Sequence, residues 1–212
     1  MSALTAIDVL IEPDATMVAR AEHENARMLG SIAAPAGYAL DEHHRPHITT
    51  LQRYVRTADL DAVFAAIEAV RAQLDLASLT FTAEAIRHMD VQRGVGLAAV
   101  VVRPGPEVLD FQAKLIEAIA PYVESGGTAE AYVRTDAEPD INEVTIEYIK
   151  NYVPHHSGAN YLAHVTVGLA KLDDLGPIED EAFEPLTFAA SALSVYQLGN
   201  NGTAAKHLKS FD

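Results

Sequence analysis

Two short stretches of this 212-residue chain repeat one arrangement of reactive groups: His47-Ile48-Thr49 within RPHITT, and His164-Val165-Thr166 within YLAHVTV. On a β-strand, residues i and i+2 point to the same face with their Cα atoms about 6.6–6.8 Å apart. Each imidazole therefore shares a face with a hydroxyl. A phosphate-sized group lying across such a strand would meet both. The Thr would donate to a non-bridging oxygen, and the His would exchange a proton with a bridging oxygen or with water. Two such strands facing each other place one His on either side of a phosphorus, which is what in-line displacement without a metal requires. Imidazole, with an ordinary pKa of about 6.5, can act as acid or base near neutrality. Groups of this kind typically contribute about 10²–10⁴ in rate, and the Thr hydroxyls would stabilise charge on the phosphoryl oxygens. The sequence does not say which His takes the proton and which gives it.

The elements that must position these residues are legible from periodicity. AIDVLIEP (6–13) alternates and is β-branched, as a strand is, and Asp14 then caps a helix running to about Leu29, broken by Pro35 and Gly37. HITTLQRYV (47–55) reads as a strand entered through Pro46. Thr57 opens a helix to about Leu74, with Leu60, Val63, Phe64, Ile67, Val70 and Leu74 on one apolar stripe. Segments 79–89 and 94–103 follow as strands; the second is apolar on both faces and is expected to be central. After Pro104-Gly105-Pro106 comes a helix to about Ala120. The stretch 121–140 carries Gly126-Gly127 and DAEPD and reads as a loop or an insertion. INEVTIEYIKNYV has helical spacing, with a strand reading left open. YLAHVTVGLA (161–170) is a strand, and FEPLTFAASALSVYQLGN supplies one or two more. Each half of the chain thus offers strands, at least one helix and one H-x-T strand, which predicts an α+β fold of two lobes packed face to face in one domain.

Composition narrows the function. The formal net charge is −15 and the pI about 4.9, with no basic face of the kind that releases counterions from long nucleic acid. Duplex nucleic acid is excluded as a partner, leaving a small nucleotide or an RNA end. The absence of Cys excludes disulfides and thiol catalysis. No apolar run approaches the roughly 18–20 residues of a membrane span. The first residues lack the features of a signal peptide, so the cytoplasm is expected.

The motif h-H-x-T-h, present twice as PHITT and AHVTV in a chain of this length, resembles the 2H phosphoesterase superfamily, which includes the 2′-5′ RNA ligase-like proteins and the cyclic nucleotide phosphodiesterases. HHSGANYLAHVTVG and SVYQLGNNGTAAKHLKSF resemble the bacterial ligase-like branch, while polar Thr50 departs from the pattern. The resemblance implies two pseudo-symmetric lobes of antiparallel-rich sheet with outer helices, and a central cleft lined by the two H-x-T strands. It implies no cofactor and no metal, and it assigns catalysis to His47, Thr49, His164 and Thr166. The expected reaction is hydrolysis of a 2′,3′-cyclic phosphate or of a 2′-5′ phosphodiester, on a nucleotide or an RNA end. Ligation, the same chemistry reversed, and a non-catalytic module that only binds such a group remain open. The long separation of the two His makes 121–160 an insertion that shapes the cleft.

Further candidates accompany these. By strict alternation Arg53 shares the face of His47 and Thr49 and would reach a phosphate or a base. Tyr161, ahead of the second motif, could stack on a base, and Tyr196 and Lys206 fall near the same cleft in a family-like arrangement. His43, His44 and His47, or His155 and His156, raise a metal site as the rival class. Pro46 and the strand after it argue against a zincin helix, which leaves His43 and His44 as loop residues at the cleft mouth. Gly94 and Gly96 lack the rest of a dinucleotide fingerprint, and there is no P-loop or nucleophile elbow. A monomer is expected.

Overall fold

The carboxyl of Asp14 accepts the free amides of Thr16 and Met17, which turns β1 (Leu4–Pro13) into α1 (Ala15–Met28) at the position the sequence indicates. The computed structural model describes residues 3–32, 39–136 and 138–211; the expected helix breakers Pro35 and Gly37 lie outside them. The chain continues through β2 (Ile48–Arg56), α2 (Leu60–Arg71), β3 (Thr80–Gln92), β4 (Val95–Arg103), α3 (Pro106–Ile119) and β5 (Val123–Glu124). It ends with α4 (Glu143–Lys150), α5 (Tyr152–His156), β6 (His164–Lys171), α6 (Leu172–Asp180), β7 (Leu186–Leu198) and β8 (Ala204–Phe211).

The strands form one antiparallel sheet in the order β5-β2-β1-β7-β3-β4-β6, with β8 pairing the second half of β7. Long β7 joins the halves: Phe188 pairs Phe81 on β3, while Val195 pairs Val9 on β1. Apolar β4 lies between β3 and β6, as expected for a strand buried on both faces. β2 and β6 stand far apart in this order, yet the Tyr161 hydroxyl, just ahead of β6, donates to the carbonyl of Thr49 on β2 at 2.7 Å. The sheet therefore folds over, and its two H-x-T strands face each other.

Helices cover the outer face: α3 packs against β2 and α1 against β6. Ile48, Leu51 and Val55 of β2 and Val165 and Val167 of β6 belong to one core with Phe111, Leu115, Met17 and Ala21 of those helices. Burying a side chain such as Leu51 contributes roughly 1.5–3 kcal/mol. A one-residue slip would turn this whole set outward, so the core fixes which residues face the cleft.

Some expectations change. Residues 57–59 form a 3-10 turn before α2, which stops at Arg71. The 141–153 stretch is helical, as α4 and the start of α5, and the strand reading of it fails. α6 was not anticipated, because Gly176 and Pro177 look like breakers; nor was β8, whose KHLK run is exposed and polar. Segment 121–140 carries two-residue β5 on the edge of β2 and a 3-10 turn at Ala129–Ala131. Tyr132, Ile141 and Ile149 pack there on Tyr54 and Leu198 as a second core.

Candidate active site

His47, Thr49, His164 and Thr166 line one cleft of about 680 Å³. The two motifs are built alike down to single hydrogen bonds. His47 Nδ1 lies 2.7 Å from the carbonyl of Arg45, and His164 Nδ1 lies 2.8 Å from that of Leu162, each two residues back. A carbonyl can only accept, so both Nδ1 atoms carry hydrogen, and the Nε2 atoms are left for the cleft.

The residue after each motif is a β-bulge. Leu10 pairs Thr49 and Val9 pairs Leu51, so Thr50 is extra in β2; Ala99 pairs Thr166 and Ala98 pairs Gly168, so Val167 is extra in β6. A bulge frees a carbonyl from the ladder, and here a helix side chain takes each one. Gln112 of α3 donates to the Thr50 carbonyl at 2.9 Å, and Asn25 of α1 donates to that of Val167 at 2.8 Å. Each amide oxygen then accepts from the segment leading into the other motif: Gly158 N, ahead of β6, to Gln112, and Leu40 N, ahead of β2, to Asn25. Polar Thr50 is explained as well, since its hydroxyl donates to the Val9 carbonyl beneath the bulge. At Gly168 the bulge takes φ +153°, and a Cβ there would stand 3.1 Å from the Asn25 amide nitrogen.

The bulge also corrects the expectation for Arg53. Past Thr50 the alternation shifts by one, so Gln52 faces the cleft beside Thr49. Arg53 pairs with core residue Ile7 and does not line the cleft. Tyr161 does not line it either; its hydroxyl is spent on the Thr49 carbonyl, tying the two motif strands together. Tyr196 is buried against Leu10 and Ala204, with its ring edge-on to His207, and Lys206 is exposed on β8. None of these four residues, Arg53, Tyr161, Tyr196 and Lys206, lines the cleft.

The two halves differ at one place. Asp8 of β1 pairs Gln52 on the cleft face, where the other half pairs Leu97 with Leu169. Asp8 is fully buried. Its Oδ2 accepts from Thr49 Oγ1 at 2.7 Å and Gln52 Nε2 at 2.9 Å, and lies 3.4 Å from His47 Nε2. Burial disfavours charge on His47, but the contact with Asp8, the Arg45 carbonyl and the charge of Glu12 together raise its pKa above the ordinary value. Burial lowers that of His164; the Leu162 carbonyl and Asp8 oppose this, His47 adds to it, and the net is below the ordinary value.

Sequence reasoning missed Asp8 and Gln52, and it missed the walls. One wall is Met89, Val91 and Leu97; the other is Val144, Thr145 and Tyr148 of α4, with Asn201 and Gly202 closing the end. Asn142 caps α4 and binds Asn201 Oδ1, and Thr145 Oγ1 accepts from Asn201 N, fixing α4 to the β7–β8 turn. Among the described residues, no Lys or Arg lines the cleft; Arg45 and His44 line a smaller recess that adjoins it past His47. His43 and His44 sit in the loop ahead of β2, bonded to the Ala205 carbonyl and to Asp41 and Glu138. His155 is exposed, and His156 stacks on Tyr148 at 4.2 Å. Among the described residues, no three His, Cys, Asp or Glu side chains are grouped to hold a metal ion, and no helix is long and apolar enough to cross a membrane.

No protein-family model and no curated protein sequence matches this chain. Solved structures do. Escherichia coli LigT complexed with NADP+ is 14% identical, with a TM-score of 0.51 over 98% of this chain and 97% of that one. LigT complexed with phosphate is 13% identical, with a TM-score of 0.50 over 99% and 98%. The chain has the LigT fold over its whole length, which is the fold the two H-x-T motifs imply.

Proposed function

We propose that the protein is a metal-independent phosphoesterase of the 2H type, acting on a cyclic phosphate or 2′-5′ phosphodiester of a small nucleotide or an RNA end. The observation that carries this reading is the duplication itself. Two H-x-T strands face one cleft, each with its Nδ1 tied to the carbonyl two residues back, which leaves Nε2 as the nitrogen for proton exchange. One His would take a proton from the attacking water and the other would give one to the leaving oxygen. The apolar walls and Tyr148 suit a flat base or sugar face, and the lack of Lys and Arg suits a group with little charge. The LigT structures that share the fold hold NADP+ and phosphate, a nucleotide and a bare phosphate group. In this reading 121–160 is an insertion within a single domain, and its α4 forms a cleft wall.

A panel of 2′,3′-cyclic mononucleotides, ADP-ribose cyclic phosphate and 2′-5′ dinucleotides tests the proposal, each incubated with water alone and with an alcohol acceptor. Turnover of at least one, abolished in the His variants discussed below, supports it; a cleft that binds nucleotides without turning any over would make it a binding module. Net joining of 2′,3′-cyclic and 5′-hydroxyl RNA ends would mark ligation as the working direction.

A further inference from the structure

We infer that Asp8 is a positioning residue that assigns the two imidazoles different jobs: it holds His47 as the proton donor to the leaving oxygen and leaves His164 as the proton acceptor for the attacking water. This rests on the paired-His reading above and goes beyond it, because two equivalent H-x-T motifs do not by themselves set a direction.

The geometry distinguishes the two rings. The Arg45 carbonyl takes the Nδ1 proton of His47 at 2.7 Å, and Asp8 Oδ2 stands at ion-pair distance, 3.4 Å, from Nε2, so the carboxylate favours the doubly protonated ring. His164 meets one acceptor, the Leu162 carbonyl, and among the described residues its Nε2 has no partner. It is satisfied as the neutral ring with a lone pair open to the cleft. The hydroxyls divide likewise: Thr49 donates to Asp8, while Thr166 makes no hydrogen bond among the described residues and is free to donate to a phosphoryl oxygen.

The pseudo-symmetry serves as an internal control. The equivalent position in the other half is Leu97, so the sheet, the bulge and the motif form without an acid there. Asp8 is also poorly explained as a structural group. It is fully buried, and among the described residues its Oδ1 has no hydrogen-bond partner, as is true of neighbouring Gln52 Oε1. Buried polar atoms are nearly always paired, so packing alone does not account for this carboxylate. The titratable and charged groups around the pair are Glu12 on β1, Arg45 ahead of β2, Asp90 on β3, His164 on β6, Tyr196 on β7 opposite Asp8, Tyr148 on α4, Tyr152 on α5 and Tyr161, with His44 in the adjoining recess and His156 beyond Tyr148. Burial pushes the Tyr148 hydroxyl to about 12 and those of Tyr152 and Tyr161 well above their ordinary value, so none of the three titrates near neutrality.

For hydrolysis of a cyclic phosphodiester the step balances. Water oxygen bonds to phosphorus as its proton passes to His164 Nε2. The bond from phosphorus to one ribose oxygen breaks as that oxygen takes the proton from His47 Nε2. Solvent then returns a proton to His47 and removes one from His164.

The test is kcat/KM against pH for 2′,3′-cyclic AMP with the wild type, Asp8→Asn, His47→Ala and His164→Ala, together with NMR titration of the His ring protons. In the unmodified protein His47 should titrate above His164; the reverse order overturns the inference without any variant needing to fold. Asp8→Asn should move the alkaline limb to lower pH by more than it moves the acid limb, since Asp8 contacts His47 and acts on His164 only as a more distant charge. Its loss should be roughly tenfold or more at pH 8 and should shrink towards pH 6. A loss equal at every pH, an acid limb moved as far as the alkaline one, or no change would show that Asp8 is structural only. Absence of wild-type turnover, or full activity in either His variant, would instead sink the paired-His reading itself, while the NMR order would still judge the inference about Asp8.

Discussion

The side-chain amide of Gln112 donates to the carbonyl of Thr50 at 2.9 Å, one residue beyond the first motif, and Asn25 repeats the contact one residue beyond the second. The two helices stand in for each other across the pseudo-symmetry: α3 braces the strand of His47, α1 the strand of His164. Replacing Gln112 by Leu would strand the Thr50 carbonyl and the Gly158 amide. Each buried group left unpaired costs on the order of 1–3 kcal/mol. Denaturant unfolding of Gln112→Leu and Asn25→Leu should show losses of that size, and kcat should fall in both. Wild-type stability and rate would mean the bulges hold their shape unaided.

Tyr161→Phe removes only a hydroxyl, the one joining the approach of β6 to β2. The expected cost is about 1 kcal/mol, with a fall in kcat larger than any change in KM, since the hydroxyl touches the Thr49 backbone and does not line the cleft. A rise in KM alone would restore the earlier expectation that Tyr161 contacts substrate.

How much of this the sequence discloses depends on whether strict alternation holds. It does from His47 to Thr49 and from His164 to Thr166, so the motif faces were readable. It fails at Thr50, where one extra residue sends Arg53 to the core side and brings in Gln52. A bulge at a Thr has no mark in the sequence comparable to a Gly; Gly168 in the second copy carries that mark, and Thr50 does not. Asp8 lies far from both motifs in sequence, between apolar Ile7 and Val9, where only the pairing register shows that it meets Thr49. The walls from α4 depend on packing against the β7–β8 turn, which periodicity does not report.

The pH dependence of kcat/KM should be a bell with a broad top. A general base works only when unprotonated, so its pKa sets the acid limb; a general acid works only when protonated, so its pKa sets the alkaline limb. Burial and the charge of His47 hold His164 below the ordinary His value, while Asp8 and the Arg45 carbonyl outweigh burial to hold His47 above it. The limbs therefore lie on opposite sides of that value. A narrow maximum at a single pKa, or a profile rising steadily with pH, would contradict this arrangement.

Turnover should persist in excess EDTA, because each proton transfer is given to an imidazole and the charge on phosphorus to Thr166. Loss of activity with chelator, restored by a divalent ion, would require a metal in the cleft.

The most direct measurement of the central claim, one device built twice, compares turnover of 2′,3′-cyclic nucleotides by the wild type, His47→Ala and His164→Ala, with folding checked by circular dichroism. Each substitution alone should lower kcat by about 10²–10⁴ in a folded protein. Wild-type turnover by either variant would contradict it.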